Sequence, residues 1–206
     1  MRPLRRKPDP AAAAQDALAA TEASLLARAQ AGDVAAFERL SGRYADRLFM
    51  LLLRLLRDRA EAEDVAQEVM LRAWLGITRF QGRSSYFTWL YRIAVNEANR
   101  ALGQRARRPA DVSIGADELQ LPAPPAADPA RQAENAELRQ SLGRALAELP
   151  PPLRTAIVLR DVEGLSTQEV AEIASVSQAA FKSRLHLARL RVRAAIGDEA
   201  LVTSGG

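Results

Sequence analysis

Apolar residues recur at helical spacing along most of this chain, and short polar breaks separate the stretches that carry the pattern. The first stretch begins at Asp33, a residue suited to cap a helix, and its apolar stripe runs to Leu55. A second helix is predicted from about Glu61 to Ile77, and a third from a cap at Ser84 or Ser85 to about residue 104. The first half of the chain is therefore expected to form a compact unit of three or four helices.

Helical spacing resumes near residue 135 and continues through two further segments. The first of these carries leucines at helical intervals, and Pro150–Pro152 start the next one. The leucines are Leu138, Leu142, Leu146 and Leu149. The fold class predicted for the chain is therefore all-α, with two small helical domains.

The most specific spacing in the chain lies toward its C-terminal end. Ser166, with Glu169 three residues later, has the pattern of a capping box and predicts a short helix over Gln168 to Ala174. After a turn at Ser175–Ser177, a second helix is expected from Gln178 to about Ile196. A short helix, a tight turn and a longer helix form the arrangement of a DNA-binding helix-turn-helix.

Between the two halves, the composition changes abruptly over residues 109–130. This stretch holds five prolines and four acidic residues, and it contains no lysine or arginine. Such a segment buries too little apolar surface to order itself, so we predict an extended linker. The predicted plan is a disordered segment at 1–21, a first domain at 22–108, a flexible acidic linker at 109–134, a helix-turn-helix domain at 135–197 and a disordered tail at 198–206.

The residue types present exclude several kinds of site. The 206 residues include no cysteine and a single histidine, His186. This composition excludes disulfides, zinc fingers and Cys/His nucleophiles, so we predict no metal site, no cofactor and no catalytic residue. The lack of cysteine fits a reducing cytoplasm. No segment reaches the roughly 20 apolar residues that a membrane span requires, so no membrane insertion is expected.

The formal net charge of +4 is modest, but it is unevenly distributed. Between Val69 and Asn96 the chain has no acidic residue, four arginines and six of its ten aromatic residues. Arginines neutralise phosphates and aromatic faces stack on unpaired bases, so this composition is typical of a nucleic-acid surface. The helical spacing of Trp74, Phe87 and Leu90 leaves open that several of these aromatics are core. That alternative does not account for the missing acids.

The second helix of the predicted helix-turn-helix is strongly basic. No acid occurs from Ile173 to Gly197, whereas an ordinary solvated helix face mixes both signs. An amphipathic hairpin with a solvated basic face is the alternative to a DNA reader. The basic residues are Lys182, Arg184, Arg189, Arg191 and Arg193.

Two parts of the chain together resemble a known family. Residues 64–74, which read Asp-Val-Ala-Gln-Glu-Val-Met-Leu-Arg-Ala-Trp, and residues 87–96 resemble conserved region 2 of bacterial sigma factors of the extracytoplasmic-function group. Residues 149–166 and 182–186 resemble region 4 of the same family. The two motifs stand in the family's order with a linker between them, and the match extends from about Asp33 to Arg193.

This resemblance implies a promoter-specificity subunit that is not an enzyme by itself. Its implied partners are core RNA polymerase and promoter DNA, which is double-stranded upstream and single-stranded at the melted element. An anti-sigma factor is a common partner in this family, but no residue of this chain identifies one.

The resemblance also implies a docking surface for core polymerase. In the family, the helix that corresponds to Asp64, Gln67, Glu68 and Leu71 docks on the clamp helices of the largest subunit's coiled coil. An acidic cluster surrounds this motif, and it suits a basic protein partner and repels DNA. A solvated helix face is the alternative for Asp64 and Glu68.

The loop from Thr78 to Tyr86 and the start of the following helix match the family's reader of the minus-ten element. There a base leaves the melted duplex and enters a protein pocket, which needs hydrogen-bond donors, a flexible backbone and stacking faces. The residues implied in this reader are Phe80, Gln81, Gly82, Arg83, Ser84, Ser85, Trp89, Arg92 and Asn96.

Region 4 of the family reads the minus-thirty-five element with the second helix of the helix-turn-helix in the major groove. Arginine bonds guanine bidentately, while serine and lysine anchor the backbone. A spectator role remains the alternative for the histidine. Two positions depart from the family pattern: Ser175 stands where glycine is common, and Leu187 stands where a basic residue is usual. The implied contacts are Gln178, Lys182, Ser183, Arg184, His186 and Arg189.

Two other classes of function are alternatives. A nucleotide-dependent enzyme or nuclease needs a phosphate-binding glycine loop, a carboxylate metal cluster or a catalytic His or Cys, and the sequence contains none of these patterns. A one-component helix-turn-helix regulator needs a ligand-binding or dimerisation domain, which the linker and the single reading head argue against. Co-purification with core polymerase would distinguish a promoter-specificity subunit from both.

Overall fold

A computed structural model of the protein describes residues 21–107 and 140–203, and over 198–203 it describes the backbone alone. Every regular element in these ranges is a helix, which confirms the predicted all-α class. Nearly all of the predicted N-terminal segment 1–21, the whole linker 109–134 and the last three residues lie outside the described ranges.

The helices follow one another with short connections. In the first half, a 3₁₀ turn, Ile77–Arg79, separates the fourth helix from the fifth. In the second half, a π-helical turn, Val158–Val162, extends the second helix. The helices are α1 (residues 21–30), α2 (Val34–Gly42), α3 (Ala45–Leu56), α4 (Arg59–Gly76), α5 (Tyr86–Arg105), α6 (residues 140–148), α7 (Pro151–Ile157), α8 (Thr167–Ile173) and α9 (Gln178–Thr203).

The starts of these helices are set by local capping. Asp33 and Ser85 each accept a hydrogen bond from the backbone N–H three residues later, at 3.0 and 3.1 Å. Asp58 does the same at 2.8 Å, so α4 begins two residues before its predicted start. Ser166 and Glu169 form both hydrogen bonds of the capping box, at 3.2 and 2.8 Å. These bonds satisfy N–H groups that no helix can pair internally.

The apolar stripe from Asp33 to Leu55, which we predicted as one helix, is divided between α2 and α3. Gly42 ends α2, and the Tyr44 N–H bonds back to the Ser41 carbonyl at 2.9 Å. Glycine is a poor helix former, and the Tyr44 hydroxyl is held by the Glu22 carboxylate of α1 at 2.7 Å. The break therefore follows from a weak position and a tertiary contact.

Two helical stretches go beyond the prediction. Residues 21–30 form α1, in which Leu25 and Ala29 are buried. Helix α9 continues to Thr203, so the disordered tail predicted from residue 198 is wrong up to that point. Gly197 costs a helix interior about 1 kcal/mol, but Glu, Ala and Leu follow it and favour the helix.

The two halves of the chain share one continuous cluster of buried apolar residues. Within the halves, α4 packs on α3 and α5, and α7 packs on α9. Between the halves, α5 packs on α7 and α8, and α3 packs on α7. The two predicted units therefore lie directly against each other, in a closed arrangement.

A buried arginine joins the halves at the end of α3. Arg154 is 8% exposed as a residue, and its guanidinium donates to the Leu55 carbonyl of α3 at 2.7 Å. This carbonyl belongs to the last turn of α3, where a cation is favoured. Burial, together with the positive charges of Arg57 and Arg105, lowers the pKa of Arg154. The guanidinium also donates to the carbonyls of Leu146, Ala147 and Leu149.

A second polar contact between the halves centres on Glu163, which follows the π-helical turn. Its carboxylate is 4% exposed and lies 2.5 Å from Arg54 Nη1 and 2.8 Å from Arg47 Nε, both on α3. The Glu163 backbone carbonyl also accepts from Arg47 at 2.8 Å. Burial disfavours charged Arg47, but the hydrogen bond and charge of Glu163 outweigh it and raise the pKa of Arg47. The closed arrangement is thus held by charge-assisted bonds as well as by apolar burial.

Candidate nucleic-acid interface

The loop between α4 and α5 is fixed at both of its ends. At its start, the Phe80 N–H bonds to the Ile77 carbonyl at 3.1 Å and closes the 3₁₀ turn. At its end, the hydroxyls of Ser85 and Thr88 lie 2.9 Å apart at the first turn of α5. Gly82, midway, has a φ of 68°, a left-handed conformation that strains other residues. The sequence correctly placed a break here.

An open groove of about 380 Å³ lies beside this loop. Six of the nine residues predicted for the minus-ten reader line it: Phe80, Gln81, Arg83, Ser84, Trp89 and Arg92. Two further lining residues, Arg79 and Glu172, were not predicted. Arg79 lies in the 3₁₀ turn, while Glu172 comes from α8 in the other half. The groove therefore combines three guanidinium groups with an indole face and one carboxylate.

Several aromatics of this stretch are core, as the sequence had left open. Phe80, Tyr86 and Tyr91 are 8%, 2% and 0% exposed. The Phe80 ring packs against Trp89, with centroids 5.2 Å apart, and so forms a floor for the groove. Burial raises the pKa of Tyr86 to about 12, although the hydrogen bond to Ser41 works the other way. Trp89 is half-buried and remains available at the groove.

Three of the nine predicted residues lie outside the groove lining. Gly82 and Ser85 shape the loop through their conformation and capping. Asn96 is exposed on α5, at helical spacing from Trp89 and Arg92, so these three share one face of the helix. That face continues from the groove along α5.

The residues predicted to dock on polymerase form one face of α4. Asp64, Gln67 and Leu71 are exposed, and Glu68 is half-buried. Leu75 extends this face and is 68% exposed, more than Leu71 at 52%. Leu75 was not among the predicted docking residues, although its spacing of four from Leu71 indicates the same face. The surface is acidic at one end and apolar at the other.

Most acids around this face have partners within the protein. Asp58 caps α4, and Glu63 pairs with Arg59 at 3.0 Å. Glu68 lies 2.6 Å from Arg72 Nε. Among the described residues, Asp64 forms no ion pair within 4 Å, so its charge is the most available for a partner.

The helix-turn-helix forms as predicted, with a strained turn. Ser175 has a φ of 53°, which is a left-handed conformation. Such a conformation was expected here, because glycine is common at this position in the family and adopts it without strain. The Ser177 hydroxyl accepts from the Ala180 N–H at 3.2 Å and caps α9. This turn orients α9 relative to α8.

The residues predicted for the minus-thirty-five reader do not all share one surface. Gln178, Lys182, Ser183 and His186 are exposed on α9. Arg184 is half-buried and lines a cavity of about 100 Å³ between the halves, together with Val95 and Asn99 of α5. Arg189 is exposed but engaged, because its guanidinium donates two hydrogen bonds to the Asp161 carboxylate at 2.6 and 2.9 Å. That bond raises the pKa of Arg189.

Neither a metal cluster nor a membrane-spanning helix occurs in the part of the chain that the structure describes. Within residues 21–107 and 140–197, no group of three or more His, Asp or Glu side chains is placed to hold a metal ion. No helix in these same ranges has the length and apolar character required to cross a membrane.

Comparison with known protein families matches both halves of the chain. Residues 40–108 match Sigma-70 region 2, and residues 139–192 match Sigma-70 region 4. The RNA polymerase sigma-H factor of Pseudomonas aeruginosa is 35% identical over 170 residues, covering 80% of this chain and 88% of that protein. The ECF RNA polymerase sigma-E factor of Haemophilus influenzae is 36% identical over 174 residues, covering 82% and 92%.

Solved structures show the same fold. The sigma factor RpoE in complex with the anti-sigma factor NepR, from Bartonella quintana, has a TM-score of 0.63 at 24% identity. The alignment covers 78% of this chain and 96% of that chain. CnrH in complex with the cytosolic domain of CnrY has a TM-score of 0.59 at 24% identity, with coverage of 90% and 99%.

Proposed function

Because this chain belongs to the extracytoplasmic-function group of RNA polymerase sigma factors, we propose that its two helical halves act as two separate promoter readers. The protein is a promoter-specificity subunit that binds core RNA polymerase and promoter DNA at transcription initiation. Sigma factors are generally not enzymes, and in our proposal the polymerase supplies all of the chemistry. Its place of action is then the bacterial cytoplasm, beside the DNA.

The groove beside the α4–α5 loop is the proposed site for the melted strand, and it is the observation that carries the residue assignments. Arg79, Arg83 and Arg92 surround it, and guanidinium groups neutralise the phosphates of a single strand. Trp89 offers a ring face, and stacking on an aromatic contributes about 1 to 3 kcal/mol per base. Exposed Gln81 supplies amide donors and acceptors for the edge of a base. A duplex cannot offer an unstacked base, so this groove favours melted DNA.

The acidic and apolar face of α4 is the proposed surface for core polymerase. Asp64 carries the available negative charge, while Leu71 and Leu75 supply exposed apolar area. Negative charge suits a basic protein partner and disfavours DNA, which keeps this face apart from the strand-binding groove.

Helix α9 is the proposed reader of the upstream element, within a region 4 domain at 135–197. Lys182, Ser183 and His186 are exposed and suit contacts to phosphates and base edges. Arg184 faces α5 across the small cavity and reaches DNA only after the two halves separate. The region 2 domain, at 22–108, is the proposed binding site of the melted strand.

Reading both promoter elements requires an open arrangement. The two elements are separated by about 25 base pairs, which is roughly 85 Å of duplex at about 3.4 Å per base pair. Halves in direct contact do not span that distance. The 22 residues from Pro109 to Ala130 have a contour of about 70 Å at roughly 3.3 Å per residue, and the two readers add their own widths. Separation of α5 from α7 and α8 is thus a step in promoter binding.

Potassium permanganate footprinting of the promoter, with polymerase and the full chain, tests the role of the groove. Arg83→Ala should lower the reactivity of the melted thymines while initial duplex binding persists. Arg39→Ala, which removes an exposed arginine from α2, is the matched control and should leave the footprint unchanged. Phe80→Ala should also reduce melting, but Phe80 is buried and its truncation costs about 3 to 5 kcal/mol of stability. Full reactivity in Arg83→Ala would show that the loop is merely structural.

A further inference from the structure

The residue that fastens the groove's loop to the rest of the protein lies outside both family matches. Gln30 is the last residue of α1, and the match to region 2 begins only at residue 40. Its side-chain amide nitrogen donates to the Phe80 carbonyl at 2.8 Å and lies 3.3 Å from the Ile77 carbonyl. The bonds join positions 50 and 47 residues apart, and they are partly buried.

The two carbonyls that Gln30 holds mark the point where the loop leaves the protein body. Ile77 begins the 3₁₀ turn, and its carbonyl already accepts from the Phe80 N–H. Phe80 is the first residue after that turn and has an extended backbone, with φ −69° and ψ 118°. The orientation of its peptide group therefore sets the direction of Gln81 to Ser84, the groove's outer wall.

Helix α1 gives Gln30 a fixed base from which to hold the loop. Leu25 and Ala29 are buried in the shared core. Glu22 accepts a 2.7 Å hydrogen bond from the Tyr44 hydroxyl at the start of α3. The contacts that hold α1 in place do not involve the loop. The hydrogen bond from Gln30 can therefore fix the position of the loop relative to the core.

We infer that Gln30 is a positioning residue for the strand-binding groove, which sets the loop so that Arg79 and Arg83 face the captured strand. This inference rests on the proposed function of the groove. The side chain acts through the loop backbone and makes no contact with DNA itself. Its loss therefore loosens the loop, weakens single-strand capture and relaxes base preference there.

The test uses polymerase holoenzyme formed with the full chain and Gln30→Met, a side chain of similar length without a donor. Its control is Tyr44→Phe, which removes the hydrogen bond between Tyr44 and Glu22 of α1 and leaves the loop contacts in place. Two DNA probes are compared: a fork whose minus-ten element is single-stranded, and a duplex that carries only the upstream element. Thermal melting and affinity for core polymerase are measured for each variant.

Gln30→Met should bind the fork about three- to tenfold more weakly, as expected for the loss of one net hydrogen bond. It should bind the upstream duplex and core polymerase as the parent does. Its affinities for forks that carry different bases in the single-stranded element should become more similar to one another. Tyr44→Phe should bind the fork with an affinity within about twofold of the parent's. A change of about twofold corresponds to the smallest net contribution of a single hydrogen bond. Gln30→Glu keeps the shape and polarity of glutamine without an N–H donor, so it should show the same loss of fork binding. If Gln30→Met does not fold, Gln30→Glu provides the test of the inference.

An equal loss of fork binding in Gln30→Met and Tyr44→Phe would overturn the inference, because docking of α1 would then be the only requirement. Undiminished fork binding in Gln30→Met and Gln30→Glu, with a clear loss in Arg83→Ala, would also overturn it and leave the proposed function intact. No loss in Arg83→Ala would instead reject the groove as the strand site, and the inference with it.

Discussion

Replacing Glu163 by glutamine should release the two halves of the protein from each other without unfolding either of them. The Glu163 carboxylate is the acceptor that links the turn after α7 to Arg47 and Arg54 of α3. Glutamine has nearly the same shape but no charge, so apolar packing between the halves is retained. The closed arrangement then depends on that packing and on Arg154.

The size of the effect follows from the exposure of the two arginines. A hydrogen bond to a charged group contributes about 1.5 to 3 kcal/mol, and the Arg54 side chain, 12% exposed, is buried enough for that range to apply. The Arg47 side chain is 47% exposed, so solvent screening limits its pairing to less than about 1 kcal/mol. The glutamine carbonyl keeps part of both contacts. A net loss of about 2 kcal/mol favours the open form about 30-fold.

Single-pair fluorescence energy transfer measures this change directly. The chain has no cysteine, so labels enter only at introduced ones, and exposed Glu38 on α2 and Arg191 on α9 suit that purpose. Glu163→Gln should add or enlarge a population of low transfer efficiency. Asp161→Asn is the matched control: it removes the same charge from a pair with Arg189 that lies within one half. It should leave the distribution unchanged.

Two results would contradict this reasoning. Identical distributions for Glu163→Gln and the parent would mean that the ion pairs do not hold the halves together. A loss of helical circular dichroism at 25 °C in Glu163→Gln would mean that Glu163 supports the helices themselves and not their association.

Three further changes test other parts of the molecule. Asp64→Lys should weaken binding to core polymerase in a pull-down while stability stays within about 0.5 kcal/mol, and unchanged affinity would reject the docking face. Ser175→Gly should raise the free energy of unfolding by about 0.5 to 1 kcal/mol in denaturant melts, because glycine accepts the left-handed φ without strain; a decrease would show that the serine is not strained. Arg184→Ala should cost about 1 to 3 kcal/mol at the upstream element and relax base preference there in binding assays with altered sites; a variant that still prefers the same bases as the parent would exclude base contact by Arg184.

Helix starts were predictable because their causes are local. The capping bonds of Asp33, Ser85 and Ser166 each join a side chain to a backbone N–H three residues away. Such a bond depends on residue type and spacing, both of which the sequence displays. The division of the first stripe at Tyr44 was not predictable in this way, since its side chain is fixed by Glu22, 22 residues earlier.

The composition of the groove was largely predictable, but its boundaries were not. The acid-free, arginine-rich and aromatic stretch contains all of the predicted lining residues. Phe80 proved to be a floor and not a free stacking face, because burial depends on the packing of Trp89 and Tyr86 around it. Glu172 reaches the groove from a helix about 80 residues later in the chain, and no spacing rule links the two.

The contact between the halves was the feature of the structure that was hardest to predict from the sequence. Arginine is rarely buried, and Arg154 follows a proline run in what reads as an ordinary helix start. Its burial is tolerated because four backbone carbonyls converge on it, and one of them lies 99 residues away on α3. Convergence of that kind appears only when helix ends meet in three dimensions.

Two arginines of α9 are restrained by different contacts, and this difference bears on the proposed binding of the upstream element. Arg184 is half-buried and lines the cavity between the halves, so separation of the halves exposes it further. Arg189 pairs with Asp161 inside its own half, and opening does not release it. The side chains of Arg189 and Asp161 are 51% and 32% exposed, so their ion pair contributes no more than about 1 kcal/mol to stability. A phosphate offers the same bidentate geometry to a guanidinium and also releases counterions, so DNA can displace Asp161. In the proposed reading of the upstream element, opening therefore frees Arg184, whereas the DNA backbone competes with Asp161 for Arg189.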